Sequence, residues 1–250
     1  MFREDSDRKE FVKLFNGICN WNQPWERWSD MVQMFGITIS NTVDKRHYEE
    51  REERYLSIIR KYAPEEQKRF PELFAYLVMA FDRNPFQDFL GSIYMALNLS
   101  DHWKGQFFTP YSVCQMMAAM SQMDASPEFD KPGGYITVND PACGAGALFI
   151  AGAENLHLKG INYQQKALFV GQDLDTVTGL MCYIQLSLLG CAGYVRIGDS
   201  LADPDTADPL FGGSGSEYWK TPMFYHNVWA VRRLVKGTRL LDERKEEVPC

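Results

Sequence analysis

One turn constrains this chain more than any other stretch. Asn139-Asp140-Pro141-Ala142-Cys143-Gly144-Ala145-Gly146 follows the strand-like run Tyr135-Ile136-Thr137-Val138 and leads directly into Ala147 to Leu158, which reads as a helix. Glycines in such a turn let the backbone approach a ligand closely, and the helix start offers unpaired N–H groups. Asp140 stands just before the turn. A carboxylate there suits a ligand carrying a cationic sulfonium or ammonium group. The same residues also suit an ordinary tight turn, and one Gly-x-Gly does not separate the two readings.

The pattern continues downstream. Ala167 to Val170 and Tyr194 to Ile197 read as strands, with a helix over Thr176 to Leu189 between them. Strands alternating with helices of this length imply βαβ units and a parallel sheet, so the fold class is α/β. The second strand finishes at Gly171-Gln172-Asp173 and the third at Gly198-Asp199-Ser200-Leu201. A carboxylate at the end of the second strand is where α/β nucleotide sites bind ribose hydroxyls. Asp199 has the chemistry to accept a hydrogen bond from an adenine amino group. Either Asp alone reads first as a helix cap or turn former. Three acidic residues at three successive strand ends point instead to one crevice, because ligands bind there in open sheets.

Residues 1–104 read as an all-α N-terminal domain and 105–250 as the α/β domain. Phe11, Val12, Leu14 and Phe15 form one apolar stripe, and Trp25, Trp28, Met31, Val32 and Phe35 another. Helices are expected over Lys45 to Tyr62, Phe70 to Phe81, Phe86 to Leu97 and Ser112 to Met123, with Pro64, Pro71 and Pro85 at helix starts. The spacing of Trp25, Trp28 and Phe35 favours core packing over a base-stacking surface. Leu201 to Lys220 reads as loop, and Phe224 to Leu234 as a short helix or strand before a charged tail. Trp219, Trp229, Arg232 and Arg233 read as a solvated helix end, with contact to a phosphate backbone as the alternative.

Composition narrows the setting. A net charge of -7 argues against tight, unaided binding to a polyanion. The six cysteines form no CxxC pair, which suits reduced thiols inside a cell. The four histidines have no second ligand at metal spacing, so no metal is expected. The charged N-terminus lacks an apolar signal region, and the most apolar stretch, Leu180 to Val195, is short for a membrane span and contains Gln185. A cytoplasmic protein without membrane contact is expected.

Upstream of the first strand lies Gly105-Gln106-Phe107-Phe108-Thr109-Pro110, locally a Thr cap with Pro at the first helical position. Together with Asn139 to Leu148 it resembles motifs X and I of the adenine-N6 DNA methylases, most closely the modification subunits of type I restriction systems. Gly171-Gln172-Asp173 is similar to motif II, and Gly198-Asp199-Ser200-Leu201 to motif III. The resemblance covers residues 86 to 201, with four motifs in order. It implies a Rossmann-like methyltransferase core dependent on S-adenosylmethionine (SAM), preceded by a helical domain. It implies Phe108, Thr109 and Pro110 near the methionine part, and Asp140, Pro141, Ala142, Gly144 and Gly146 around the sulfonium and carboxylate. Asp173 would meet the ribose and Asp199 the adenine. DNA is the implied substrate, and a specificity subunit, another partner chain or a homo-oligomer the implied assembly.

The family's catalytic signature is an Asn or Asp, two prolines and an aromatic. Its acceptor oxygens align the adenine nitrogen with the methyl group, and the aromatic stacks on the flipped base. The nearest string here is Asp208-Pro209-Leu210-Phe211, one proline short, so Asp208, Pro209 and Phe211 are the catalytic candidates. Thr221-Pro222-Met223-Phe224 is a second candidate without the acceptor carboxyl or amide. Few residues follow, so a truncated sheet is expected. Three readings stay open: a compact active methylase, a non-catalytic SAM-binding subunit or scaffold, or a site completed by a partner chain. Transfer to RNA, protein or a small molecule is a further alternative.

Overall fold

A computed structural model describes residues 2–18, 23–99, 108–121, 126–131 and 133–246. The helical half comprises α1 (Phe2–Asn16), α2 (Pro24–Val43), α3 (Tyr48–Ile59), α4 (Pro64–Gln67), α5 (Arg69–Arg83) and α6 (Phe89–Ala96). The expected boundary near residue 104 lies outside the described residues. On α2, Trp28, Met31, Val32 and Phe35 are all buried, as their spacing requires, whereas Trp25 is exposed. Trp28 packs edge-on against Phe11 and Phe15 of α1.

Three expected helix starts shift. The helix expected from Phe86, with Pro85 at its start, begins at Phe89, because the Asp88 side chain accepts from Gly91 N–H and caps it there. The helix expected from Lys45 begins at Tyr48, because the Asp44 side chain accepts from the backbone N–H groups of Arg46 and His47 and holds a turn there. Pro71 is the third residue of α5, where its missing N–H costs no intrahelical bond.

The second half runs α7 (Tyr111–Met120), a 3-10 turn at Pro127–Asp130, β1 (Ile136–Asp140), α8 (Ala147–Leu158), α9 (Tyr163–Lys166), β2 (Ala167–Asp173), α10 (Thr176–Leu189), β3 (Ala192–Ile197), β4 (Tyr218–Lys220), α11 (Pro222–Tyr225) and α12 (Asn227–Glu246). The fold is α/β. Its sheet has the order β1-β2-β3-β4, with β1, β2 and β3 parallel and β4 antiparallel to β3. The loop expected over Leu201 to Lys220 therefore ends in a strand, too short to show a period of two. The short element expected at Phe224 to Leu234 is two helices, and α12 continues through the charged stretch.

Alternation along the strands gives the sheet two buried faces. Phe169, Val195 and Trp219 join one continuous apolar core with α8, α10 and the helical half. Leu168, Val170, Tyr194 and Tyr218 face Leu210, Phe224 and Trp229 on the other side. Arg51 of α3 fastens the halves together. It donates to the backbone oxygens of Ser216 and Tyr218, each at 3.1 Å, pairs with Asp44 at 2.8 Å, and stacks 4.0 Å from the Trp219 ring. Among the described residues no helix is long and apolar enough to cross a membrane.

Candidate functional site: the carboxyl edge of the sheet

Asp140 closes β1 and Asp173 closes β2, so both carboxylates stand at the sheet's carboxyl edge. Three bonds made by its backbone N–H groups brace the turn between β1 and α8 at Cys143, Gly144 and Gly146. Cys143 N–H donates to the Gln172 carbonyl at 3.0 Å, Gly146 N–H to the Cys143 carbonyl at 2.8 Å, and Gly144 N–H to Asp173 Oδ2 at 2.8 Å. Gly144 has φ +52° and Gly146 φ +89°, the left-handed region that favours glycine. A Cβ on Gly146 would also stand 2.7 Å from Cys182 Sγ, and one on Gly144 would meet the Phe108 ring at 3.4 Å.

The three carboxylates differ in what they already hold. Asp140 is half-buried, and its Oδ1 accepts one bond, from Ala142 N–H at 3.0 Å. Burial raises its pKa, the Ala142 bond opposes the rise, and the negative charge of Asp173 adds to it. Asp173 holds the turn through Oδ2, while its Oδ1 accepts from Asp175 N–H at 2.9 Å and the Thr178 hydroxyl at 2.8 Å. Asp199 folds its own turn, with Oδ1 accepting from Leu201 N–H at 2.9 Å and Ala202 N–H at 3.1 Å. Asp140 and Asp173 thus sense each other, whereas the recorded bonds of Asp199 stay within its loop.

Of the upstream motif, Gly105, Gln106 and Phe107 lie outside the described residues. Phe108 is half-buried between Gly144 and Tyr94, with ring centroids 5.6 Å apart. Pro110, not Thr109, occupies the cap position of α7, and no side-chain cap bond forms; this corrects the expected Thr cap. The Thr109 carbonyl accepts from Cys114 Sγ. Pro141 and Ala142 are exposed in the glycine turn.

Sequence reasoning missed Gln185. Fully buried on α10, its amide donates to the Ala145 carbonyl at 2.8 Å and to Asp88 Oδ1 at 2.9 Å, and accepts from Leu90 N–H at 3.0 Å. It ties the glycine turn to the start of α6. The signal was a lone amide inside the most apolar stretch of the chain, where only a structural or functional partner keeps such a group. Asp175, which caps α10 by accepting from Val177 and Thr178 N–H, was likewise unnamed.

The two catalytic strings lie elsewhere. Asp208 Oδ1 accepts from Leu210 N–H at 3.0 Å, and Oδ2 pairs with Lys236 of α12. Its carbonyl accepts from Phe211 and Gly212 N–H, so the segment is a closed turn. Phe211 packs with Leu210 on the second face of the sheet, and Pro209 is half-buried. Among the described residues no recorded contact joins Asp208 to Asp140, Asp173 or Asp199. Thr221 is placed at the opposite edge. Since β4 runs antiparallel to β3, its end reaches the start of β3, where the Thr221 hydroxyl donates to the Cys191 carbonyl at 2.7 Å and accepts from Gly193 N–H at 3.2 Å.

The expectation of a solvated basic-aromatic helix end is also corrected. Trp229 is fully buried and donates to the Gln164 carbonyl at 2.8 Å. Arg232 donates to the carbonyls of Gly133 and Gln165, and Arg233 to those of Leu210 and Phe224. Trp219 packs on the opposite face of the sheet from Trp229. These side chains tie α12 to the sheet's amino edge.

A mostly parallel α/β sheet with a glycine turn and two carboxylates at its carboxyl edge is the arrangement in which open α/β sheets bind nucleotides. The chain belongs to the N-6 DNA Methylase family, whose profile matches residues 87–240. It is similar to the type I restriction enzyme MjaIX methylase subunit of Methanocaldococcus jannaschii, with 28% identity over 145 residues, 58% of this chain. The chain spans about a quarter of that relative's length, 23%. Among solved structures it is similar to the methyltransferase subunit of a type I restriction-modification system from Streptococcus thermophilus. That match has 22% identity and a TM-score of 0.39, and covers 59% of this chain and 31% of the other.

Proposed function

We propose that the carboxyl-edge crevice binds SAM and that the chain serves methyl transfer to adenine N6 in DNA. Asp140 carries the cofactor assignment. Its half-buried carboxylate has one hydrogen bond and, among the described residues, no cation recorded against it. A positively charged ligand supplies what that group lacks. Bound there, SAM supplies an electrophilic methyl group on a cationic sulfur.

The chain's own residues orient that group and exclude water from it. Gly144 and Gly146 keep the turn free of side chains, with Pro141 and Ala142 on its outer side. Phe108, Thr109 and Pro110 border the amino-acid part. Asp173, already fixed by Thr178, faces the ribose, and Asp199 the adenine through its second carboxylate oxygen.

The DNA assignment rests on the family. For the acceptor of the adenine amino protons, this chain's candidate remains Asp208 with Pro209 and Phe211. The pairing of Asp208 with Lys236 favours a second reading, in which a partner chain supplies those groups and this chain supplies the cofactor half. The similar protein from Methanocaldococcus jannaschii is itself named a subunit of a larger enzyme.

Calorimetry with SAM, followed by mass-spectrometric detection of N6-methyladenine in DNA of mixed sequence, tests the proposal. Absence of SAM binding removes it. Binding with methylation that Asp208→Ala abolishes assigns the acceptor to this chain. Binding with methylation only after a partner chain is added assigns it to the partner.

A further inference from the structure

The chain is acidic overall, at -7, yet one cavity in it gathers positive charge that nothing beside it neutralises. The cavity holds about 280 Å³. It lies between the α2–α3 turn at Lys45-Arg46-His47 and the loop Gly213-Ser214-Gly215, with Lys220, the last residue of β4, in its wall. Asp44 is the one acid among the described lining residues. Its carboxylate is already taken by Arg51 at 2.8 Å and by His47 at 2.9 Å. Lys45 and Arg46 are exposed and Lys220 is half-buried. The Lys220 ammonium donates to the Phe211 carbonyl at 2.9 Å and the Lys45 ammonium to the Asn41 carbonyl, bonds to neutral groups that leave both charges in place. Among the described residues no ion pair is recorded for Arg46.

These cations act on one another. Burial pulls the Lys220 ammonium below its usual pKa, Asp44 opposes the fall, and the charges of Arg233 and Arg46 add to it. The facing loop adds donors. Among the described residues no hydrogen bond is recorded from the backbone N–H groups of Gly213, Ser214 and Gly215, or from the Ser214 hydroxyl. Successive N–H groups in such a loop, set against cations, favour an anion. A second cavity, lined by Lys45, Arg46, Tyr48 and Glu49, adjoins the first, so Lys45 and Arg46 stand between the two.

We infer that this cavity binds a backbone phosphate of a nucleic-acid strand, with Arg46 and Lys220 as its cations and the Gly213-Ser214-Gly215 loop donating backbone N–H groups. The charge sets the ligand class, because a phosphate supplies the missing negative charge and accepts several charge-assisted hydrogen bonds at once. The size suits one phosphate with its ester oxygens, since pockets for larger ligands start at about 300 Å³. The pair of cations shared with the adjoining cavity suits a strand that continues past the site. β4 stands three strand spacings from β1, about 14 Å, or about four base-pair steps of DNA. The phosphate site is therefore separate from the crevice at Asp140. The choice of DNA as the strand rests on the proposed methylation, but binding at this cavity needs no methyl donor.

Fluorescence anisotropy of the full chain with a labelled DNA duplex, in the absence of SAM and over a series of salt concentrations, tests this. A dissociation constant of about 1–100 µM is expected, the range of contacts to the backbone alone. Arg46→Gln, at an exposed position, should weaken binding about tenfold whatever the duplex sequence, and should lower the salt slope by about one, as the loss of one phosphate contact does. Lys68→Gln removes the same charge from an exposed site between α4 and α5 and should leave the affinity unchanged. SAM affinity of Arg46→Gln in calorimetry should match the parent, so this site and the cofactor crevice stand or fall separately. A duplex that does not bind overturns the proposal, and so do equal losses in the two variants, which reduce the effect to overall charge. Inorganic phosphate that binds with the same sensitivity to Arg46→Gln, where no duplex binds, overturns the strand and leaves a site for a free anion.

Discussion

The two edges of the sheet use polar groups in opposite ways. At the amino edge a set of polar groups is spent on the fold: Thr221 bridges Cys191 and Gly193, Trp229 reaches Gln164, and Arg232 and Arg233 close the backbone carbonyls of Gly133, Gln165, Leu210 and Phe224. At the carboxyl edge, Asp140 is kept half-buried with a raised pKa, and the glycine turn beside it carries backbone angles that side chains resist. A fold spends buried polar groups on hydrogen bonds wherever it can. An edge where one is left under-satisfied is where a ligand fits.

That contrast fails if a substitution at the amino edge alters ligand binding while the protein remains folded. Trp229→Ala should have the largest effect, about 3–5 kcal/mol of lost stability from the emptied aromatic site. Urea unfolding measures it, and SAM affinity of the fraction still folded should match the parent.

Asp140→Asn comes next, with the opposite pattern. SAM affinity in calorimetry should fall about 10- to 100-fold, the range for a hydrogen bond or contact to a charged group. The melting temperature of the ligand-free protein at neutral pH should hold or rise. The folded pKa of Asp140 lies above its ordinary value, so its ionised form costs the fold stability. The contribution of this group to stability is therefore full below the ordinary carboxylate pKa and is lost as pH rises through the raised value. SAM affinity should grow over the same rise in pH, as the carboxylate ionises. Asn should flatten both dependences.

Thr221→Val should cost about 1–3 kcal/mol, since it strands buried backbone groups at Cys191 and Gly193 without touching the crevice. Thermal unfolding checks it, and a matching loss of ligand affinity would break the separation of the edges. The smallest effect on stability belongs to Asp208→Ala, whose carboxylate is part-exposed and paired with Lys236. A melting temperature within about 1–2 °C of the parent is expected from a loss well under 1 kcal/mol. Turnover of the same variant decides which chain provides the acceptor.

The legible parts of the fold were those where period and composition agree over a dozen residues. α8 and α10 begin and end at the residues the sequence marks, because Gly146 and Asp175 set their starts. The strand ends at Asp140 and Asp173 were legible too, since an acidic residue after an apolar run closes a strand. β4 was hidden by its three-residue length, and the start of α3 by a local Asp44 turn that outcompetes the helical register. Cap chemistry before α7 was misread because Pro110 fits the cap position as well as the first helical one.

By itself, the sequence determined that an α/β sheet forms and that a glycine turn with Asp140 stands at the end of its first strand, because both depend on neighbours along the chain. Tertiary structure alone decided that β4 turns back against β3, which sends Thr221 to the far edge, and that Lys236 takes Asp208. Those outcomes depend on which distant surfaces meet, and a one-dimensional pattern carries no record of that.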